Sequence, residues 1–244
     1  MTRNIKIFII HAKKYVARKA YIDKILRSRP YIYEFIEEGD AETLSEKVVS
    51  TYFTGKEMGK GVCMKEPKIL SCALKHFLAY EKILADGLMG ALILEDDAIL
   101  SKNFDEIFPQ TIMEYESTCL SENTIISYED TRLRFVPRSQ RTKGKYLYLG
   151  DRDRMTGAYF INRLAAQMIL DEVKTNKCHL PIDLYHRYLL NSGKLKYMWC
   201  QPTIASQGSY TGKFCSTLSN KGGWKVKITW QCKLLYKKLL YNLR

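Results

Sequence analysis

Long hydrophobic runs are absent from this sequence. No stretch approaches the roughly eighteen consecutive apolar residues that a membrane-spanning helix needs. Near the amino terminus the apolar run at residues 7–10 is too short for a signal-peptide core, and Lys13 and Lys14 follow it. These absences predict a cytoplasmic protein that has no spanning helix.

Paired cysteines are missing as well. The chain has seven cysteines, an odd number with irregular spacing, and no Cys-x-x-Cys pair occurs among them. Zinc knuckles and thiol redox motifs depend on such pairs, so neither is indicated. The thiols are expected to be reduced and mostly buried.

Acidic residues are too few to balance the basic ones, and the net charge is +13 over 244 residues. Such an excess attracts anionic partners, which include nucleic acid, anionic membranes, nucleotide-sugars and phosphorylated glycolipids. A nucleic-acid-binding protein is expected to interleave its basic residues with stacking aromatics along one stripe. Here the charge collects instead in residues 132–145 and in residues 221–244. No nucleic-acid partner is therefore expected, although a basic nucleic-acid binder and a non-catalytic membrane adaptor remain the alternatives to an enzyme.

The alternation of short apolar runs with helical patterns predicts an α/β fold. Residues 5–10 are typical of a buried strand, and a basic turn and a helix ending near Arg27 follow. Apolar residues at three- and four-residue spacings predict a helix over 69–86, before a central strand at 91–94. Residues 31–66 are expected to hold a short helix and irregular loops. The remaining predicted elements are strands at 146–149 and 156–161, a helix capped near Asn162 that continues to about Val173, and a helix from 181 to about 193.

Three carboxylates, Glu95, Asp96 and Asp97, follow the predicted central strand directly. They would repel one another near a core, and a divalent cation relieves that repulsion. Mg²⁺ and Mn²⁺ favour oxygen ligands and often bind one or two carboxylates together with substrate phosphates. Ligands of open α/β sheets also bind at the carboxyl ends of strands. The triplet therefore predicts a metal-diphosphate site, with an acidic junction pointing into water as the alternative.

Three further positions each have a chemical and a structural interpretation. Asp183 follows Pro181 at a helix start, where it could be a general base or an N-cap. Arg18 could clamp a diphosphate or lie on a solvated helix face. His76 lies four residues after Cys72 on one helix, but two ligands do not make a metal site. His76 is expected near the core or at a substrate hydroxyl, and Cys72 is expected to serve in packing.

Several separated segments together resemble glycosyltransferase family 25. Residues 7–19 (IFIIHAKKYVARK) resemble its opening strand and Arg-bearing turn, residues 72–76 (CALKH) its Cys-Ala-Leu-Ser-His, and residues 91–97 (ALILEDD) its acidic strand end. TGAY at 156–159 and PID at 181–183 are similar to two further blocks in the same order. The resemblance spans roughly residues 5–207, and it is the order and spacing that make it specific. The chain departs from the family pattern at His11-Ala12, where Asn-Leu is usual, at Ser71, where glycine is usual, and at Lys75, where serine is usual.

The resemblance implies a Rossmann-like GT-A fold with a mixed central sheet and flanking helices. It also implies a nucleotide-sugar donor, Mn²⁺ or Mg²⁺, and an acceptor such as lipopolysaccharide or lipooligosaccharide. The expected reaction is transfer of galactose or glucose from a UDP-sugar with inversion, and a UDP-galactose-dependent β-galactosyltransferase is the specific expectation.

The same resemblance implies roles for individual residues. Asp97 would be the direct metal ligand, with Glu95 as a second ligand, and Asp96 would help to hold the ribose. Asp183 would be the catalytic base. Further candidates for donor binding are Arg18, His76, Thr156 and Gly157. His179, His186 or a water would complete the metal shell.

The chain is expected to divide into a single catalytic domain, residues 1–220, and a basic amphipathic tail, residues 221–244. In the tail, leucines partly follow a helical spacing with lysines between them, and tryptophan and tyrosine accompany them. A basic amphipathic helix of this kind suits an anionic membrane face, here the inner surface of the cytoplasmic membrane. The alternative is that its apolar face packs against the catalytic domain.

Overall fold

A computed structural model describes residues 5–54, 66–118, 121–131, 134–211, 213 and 214, together with residues 232, 235, 236 and 239. Strands and helices alternate along most of this part of the chain. The strands are β1 (Lys6–Ile10), β2 (Tyr33–Ile36), β3 (Gly90–Glu95), β4 (Ala98–Leu100), β5 (Thr124–Ser127), β6 (Leu147–Leu149), β7 (Ala158–Asn162), β8 (Lys196–Cys200) and β9 (Ala205–Gln207). The helices are α1 (Val16–Arg27), α2 (Glu46–Tyr52), α3 (Pro67–Ala85), α4 (Phe104–Thr118), α5 (Arg163–Asn176), α6 (Ile182–Asn191) and α7 (Gly208–Thr211).

Seven of the strands form one mixed sheet in the order β2-β1-β3-β7-β5-β8-β6. Strand β1 is parallel to both β2 and β3, while β7 is antiparallel to its neighbours β3 and β5. Strand β8 runs parallel to β5 and antiparallel to the edge strand β6. A separate antiparallel ribbon joins β4 to β9. The predicted α/β fold with a mixed central sheet and flanking helices is therefore confirmed.

The sheet is covered by apolar clusters on both faces, as the alternation of side chains along a strand requires. In β3, Ala91 and Ile93 join the cluster on the side of α3 and α5, while Leu92 and Leu94 join the one on the side of α1 and α4. All four side chains are fully buried. A strand buried on both faces reads as a continuous apolar run, and the run at 91–94 was for that reason visible in the sequence.

Asn162 connects strand β7 to helix α5 and confirms the predicted cap. Its Oδ1 accepts hydrogen bonds from the backbone N–H groups of Ala165 and Thr124, at 2.9 and 3.1 Å. Its Nδ2 donates to the Tyr115 hydroxyl and to the Glu122 carbonyl, at 2.8 and 2.7 Å. One buried amide thereby satisfies one N–H in the first turn of α5 and ties the helix to β5 and α4.

The segment 31–66 was predicted as a short helix with irregular loops; residues 55–65 lie outside the described residues, and for the rest that prediction is partly wrong. It contains helix α2 but also β2, which pairs in parallel with β1 at the edge of the sheet. An edge strand has a neighbour on only one side, and in β2 only Ile36 is fully buried. In this strand, Glu34 Oε2 lies 2.7 Å from Lys6 Nζ, and Glu34 Oε1 lies 2.6 Å from Lys82 Nζ. This mixture of apolar and charged residues gives no clear strand pattern.

Among the described residues, no helix has both the length and the apolar composition that crossing a membrane requires. The predicted amphipathic tail lies outside the described residues except at positions 232, 235, 236 and 239. The division into a catalytic domain and a tail therefore stays a prediction.

Candidate active site

The acidic triplet lies where two parallel strands end side by side. Ile10, the last residue of β1, is paired with Glu95, the last residue of β3. Just beyond them the backbone N–H of Asp96 donates to the Ile10 carbonyl at 3.1 Å, and His11 follows on the β1 side. Because the strands are parallel neighbours, the side chains that follow β1 and those that follow β3 lie together at one edge of the sheet.

Asp96 is the buried centre of a polar cluster at this edge. Its Oδ2 lies 2.8 Å from His11 Nδ1, and its Oδ1 accepts from Arg18 Nη1 at 3.0 Å. The guanidinium also lies 5.0 Å from the ring of Tyr15 and 5.5 Å from that of Phe214. Arg18 is therefore buried at the site, and the solvated-helix alternative for it is wrong.

Asp97 is also buried, so the interpretation of the triplet as a junction pointing into water is wrong. Its Oδ2 accepts from the backbone N–H of Ser209 at 3.0 Å, and its carbonyl accepts from Gly208 N–H at 2.8 Å. A Cβ on Gly208 would lie 2.9 Å from the Asp97 carbonyl oxygen and 2.5 Å from the Phe214 ring, so this close approach requires glycine. The other carboxylate oxygen, Oδ1, is buried and has no hydrogen-bond partner among the described residues.

Glu95 faces the opposite way from Asp96, since successive side chains leave a strand on opposite sides. Its Oε1 accepts from Thr156 Oγ1 at 3.2 Å and lies 3.9 Å from His76 Nε2. Burial, reinforced by the charges of Asp97 and Asp96, raises the pKa of Glu95 to about 8. The carboxylate form is thus disfavoured here unless a cation is supplied.

A fourth acid, Glu129, was missed by the sequence analysis. It is buried beyond the end of β5, and its Oε2 accepts from Gly157 N–H at 2.8 Å. Burial first, and then the charge of Glu95, raise the pKa of Glu129 well above its ordinary value. A Cβ on Gly157 would lie 2.7 Å from Gln207 Cγ, so the predicted donor-binding glycine is needed for packing at this point. Strand β5 was itself not predicted, and its acid could not be placed without it.

His76 is fully buried at the start of a chain of polar groups beneath the site. Its Nδ1 lies 2.7 Å from the Tyr159 hydroxyl, which lies 2.5 Å from the Tyr80 hydroxyl. Tyr80 is in turn 2.9 Å from His186 Nε2, and His186 Nδ1 is 3.3 Å from the Tyr197 hydroxyl. Burial lowers the pKa of both histidines to about 3, so both are neutral. Both ring nitrogens of His186 are therefore engaged away from the triplet.

Asp183 lies in the first turn of α6, but it is not the cap. The N-cap position is Pro181, and no side-chain hydrogen bond caps the helix. Burial raises the pKa of Asp183, and the neighbouring Asp153 adds to that rise. Asp153 is itself held by Arg187, whose Nε and Nη2 donate to its two oxygens at 2.5 and 3.0 Å. The charge of Asp183 also contributes to the raised pKa of Glu95, so electrostatics couples the two carboxyls.

A cavity opens beside Glu95 and Asp96 between the end of β1, helix α1 and helix α3. Its wall carries four cationic side chains, Lys14, Arg18, Lys68 and Lys75, and three acids, Glu42, Glu95 and Asp96. Such a wall suits a ligand that combines phosphate groups with a bound cation.

The two departures from the family pattern on α3 share one structural role. Ser71 Oγ donates to the Gly39 carbonyl at 2.7 Å, and Lys75 Nζ donates to the Glu38 carbonyl at 2.9 Å. The same Nζ lies 3.0 Å from Asp40 Oδ1. Both side chains therefore fasten the loop after β2 to the helix that lines the cavity.

Comparison with known protein families gives a match over most of the chain. The model of glycosyltransferase family 25, described as LPS biosynthesis protein, matches residues 4–186. A protein of Acanthamoeba polyphaga mimivirus, provisionally named as a glycosyltransferase, is 32% identical over 108 residues. That region is 42% of this chain and 32% of the viral protein, so the match spans less than half of either.

Two solved structures align with most of the chain at low scores. One is a glycosyltransferase involved in the glycosylation of the major capsid of PBCV-1, with a TM-score of 0.42 and 10% identity, covering 88% of this chain and 96% of that one. The other is mouse xyloside xylosyltransferase 1, with a TM-score of 0.39 and 12% identity, covering 79% and 83%. Neither similarity bears on the substrate of this chain.

Proposed function

Since this chain belongs to glycosyltransferase family 25, we propose that it transfers a hexose from a UDP-sugar to a lipopolysaccharide or lipooligosaccharide acceptor, with Mn²⁺ or Mg²⁺ as cofactor. Galactose is the proposed sugar, in a β linkage formed with inversion, and glucose is the second candidate. The observation that carries this proposal is the acidic cluster of half-buried Glu95, buried Asp97 and buried Glu129, beside a cavity whose wall carries four cationic side chains. Carboxylates this close together repel one another unless a cation is bound, and the cationic side chains of the wall favour binding of an anion.

The basic wall supports binding of the donor diphosphate. Lys14 and Lys68 both line the cavity, one from the turn before α1 and the other from α3. Arg18 lines the cavity and its guanidinium is held by Asp96, so less conformational entropy is lost when it contacts an anion there. The diphosphate would lie between these cations and the acidic cluster.

The carboxylates support a hard divalent cation. Asp97 Oδ1 is buried and has no hydrogen-bond partner among the described residues, so binding a cation would compensate the cost of burying it. Glu95 would supply a second oxygen, and an all-oxygen set is the one that Mg²⁺ and Mn²⁺ prefer. When bound, such a cation neutralises charge on the departing diphosphate. This chain's own contribution is to hold Asp97 in place through the backbone of Ser209.

Asp183 is the proposed base that accepts the proton of the acceptor hydroxyl. Inversion by a single displacement requires a base on the side of the sugar opposite the leaving group. The raised pKa of Asp183 makes its carboxylate a stronger proton acceptor than an exposed aspartate. Arg187 and Asp153 form an ion pair close enough to affect the pKa of Asp183, and they would orient the acceptor.

The tail supports attachment to an anionic membrane face, where a lipid-linked acceptor would be found. Leu235, Tyr236 and Leu239 are helical in the structure, and each is more than half exposed. Exposure of these apolar side chains favours an interfacial role over packing against the catalytic domain.

The function is tested by measuring UDP release from a panel of nucleotide-sugars, with lipooligosaccharide as acceptor and with Mn²⁺, Mg²⁺ or a chelator. We expect turnover with UDP-galactose that depends on both the acceptor and the cation. Turnover with a different donor would correct the sugar but keep the reaction class. If no nucleotide-sugar is consumed in any combination with a lipopolysaccharide-type acceptor, the proposed reaction is wrong.

A further inference from the structure

A second group of potential metal ligands lies next to the acidic cluster, and its chemistry differs from that of the carboxylates. Cys72 Sγ, His76 Nε2 and a Glu95 carboxylate oxygen all lie within 4.8 Å of one another. Cys72 and His76 are four residues apart on α3, so they share one face of the helix. The sequence offered only this pair, and the end of β3 brings the third ligand to it.

His76 is held in the orientation that a metal-binding imidazole needs. Its Nε2 is buried, has no hydrogen-bond partner in the described part of the chain, and lies 3.9 Å from Glu95 Oε1. Its Nδ1 is fixed by the Tyr159 hydroxyl at 2.7 Å. Histidine ligands characteristically use one nitrogen for the metal and the other for such a second contact, which sets the tautomer and the angle of the ring.

The polar chain beneath the site is compatible with this tautomer from end to end. If Nδ1 carries the proton, His76 donates to Tyr159, Tyr159 donates to Tyr80, and Tyr80 donates to His186 Nε2. His186 then donates from Nδ1 to the Tyr197 hydroxyl. Every contact in the chain is satisfied, and the lone pair of His76 Nε2 is left facing Cys72 and Glu95.

We propose that Cys72, His76 and Glu95 form a site for a borderline-soft divalent metal such as Zn²⁺, distinct from the all-oxygen site proposed for Asp97. Thiolate, imidazole and carboxylate are the three ligand types that zinc takes, whereas Mg²⁺ does not favour sulfur or nitrogen. On binding, the metal replaces the Cys72 thiol proton, which is released to solvent. A tetrahedral site with bonds of about 2.1 Å separates its ligand atoms by about 3.4 Å, so no pair of ligand atoms needs to approach by more than about 1.4 Å.

Sharing of Glu95 gives the site a consequence for the proposed reaction. Glu95 can bind one cation with both carboxylate oxygens, or two cations with one oxygen each. An ion held by Cys72 and His76 would therefore compete for Glu95 with a cation bound at the acidic cluster. Cys72 also lines the donor cavity, so an ion there would lie within reach of the donor. This consequence rests on the proposed function, but the metal site itself does not.

The test uses Co²⁺ and Zn²⁺ alone with the full-length chain, without donor or acceptor, so that its failure is separate from failure of the transferase proposal. Co²⁺ bound through a thiolate gives a sulfur-to-cobalt charge-transfer absorption, which Zn²⁺ should remove by competition. We expect this band in the wild type, its loss in Cys72→Ser, and its retention in the matched control Cys178→Ser, which removes a buried thiol bonded to the Leu180 carbonyl instead. Tyr159→Phe should weaken Co²⁺ binding by about 10- to 100-fold, as loss of a second contact to a ligand typically does.

A second measurement needs no variant and is therefore independent of whether the substitutions fold. Zn²⁺ should slow alkylation of Cys72 in the wild-type chain, read by mass spectrometry of the labelled peptide, while leaving the exposed Cys232 unchanged. Protection of Cys72 with loss of the cobalt band in Cys72→Ser supports the site. A band that persists in Cys72→Ser, or alkylation of Cys72 that Zn²⁺ does not slow, overturns it.

Discussion

The buried contacts of Asp96, a hydrogen bond with His11 and an ion pair with Arg18, allow the structural role of the acidic triplet to be separated from its chemical role. Asp96 is 5% exposed and joins His11, directly after β1, to Arg18 on α1. In Asp96→Ala, the carboxylate is removed from both partners while the positive charge of Arg18 stays buried. Removing one member of a buried pair costs about 3–5 kcal/mol in the free energy of unfolding. For a domain of this size that loss corresponds to a fall of about 6–20 °C in melting temperature.

The matched control is an ion pair of the same chemistry at the surface. Arg29 Nε donates to both oxygens of Asp105 at 3.0 Å, but the Asp105 side chain is 45% exposed. Because water replaces the lost contact there, Asp105→Ala should cost about 1 kcal/mol or less. Asp96→Asn, which keeps one acceptor oxygen, should fall between the two alanine variants at about 1.5–3 kcal/mol.

The assay is urea unfolding of the three variants and the wild type, followed by far-ultraviolet circular dichroism, with thermal melts as a second probe. The expected order of stability is wild type, Asp105→Ala, Asp96→Asn and Asp96→Ala, from most to least stable. If Asp96→Ala unfolds at the same urea concentration as Asp105→Ala, the pairs of Asp96 add no more than surface pairs, and the reasoning from burial is refuted.

Four further outcomes are expected. Asp97→Asn should abolish donor turnover while the protein stays folded, and full activity of chelator-treated wild type would show the metal assignment to be wrong. Asp183→Asn should bind donor normally but transfer sugar about 10²–10⁴-fold more slowly; normal turnover would rule out Asp183 as the base. Because burial raises the pKa of Glu129 in the folded state, the free energy of unfolding of the wild type falls as pH rises above about 5. Glu129→Gln lacks this loss, so in urea unfolding its stability relative to the wild type should increase with pH. A difference that does not vary with pH would contradict this. Truncation after Gly223 should release the protein from anionic vesicles in a low-salt flotation assay and spare activity on a soluble acceptor, whereas full-length protein that ignores such vesicles would disprove the membrane role.

The sequence by itself determined the parts of the molecule whose local pattern and tertiary role agree. The apolar run at 91–94 is buried on both faces and became the central strand β3. The amphipathic helix α3 and the cap at Asn162 follow from spacing and from side-chain hydrogen bonding within a few residues. The order and spacing of the short segments were also sufficient to indicate glycosyltransferase family 25, because a sequence motif can be recognised without knowing which residues lie near it in the folded protein.

The tertiary structure alone decided which side chains share the site. Glu129 enters the acidic cluster only because β5 lies across β7 from β3, at a separation of over thirty residues that no local pattern encodes. Arg18 is oriented by Asp96, and Asp97 by the backbone of Ser209, through pairs distant in sequence. The third ligand beside Cys72 and His76 likewise comes from another strand. Sequence patterns report periodicity along one element, whereas a binding site is made from the ends of several elements, and only their packing fixes the distances between them.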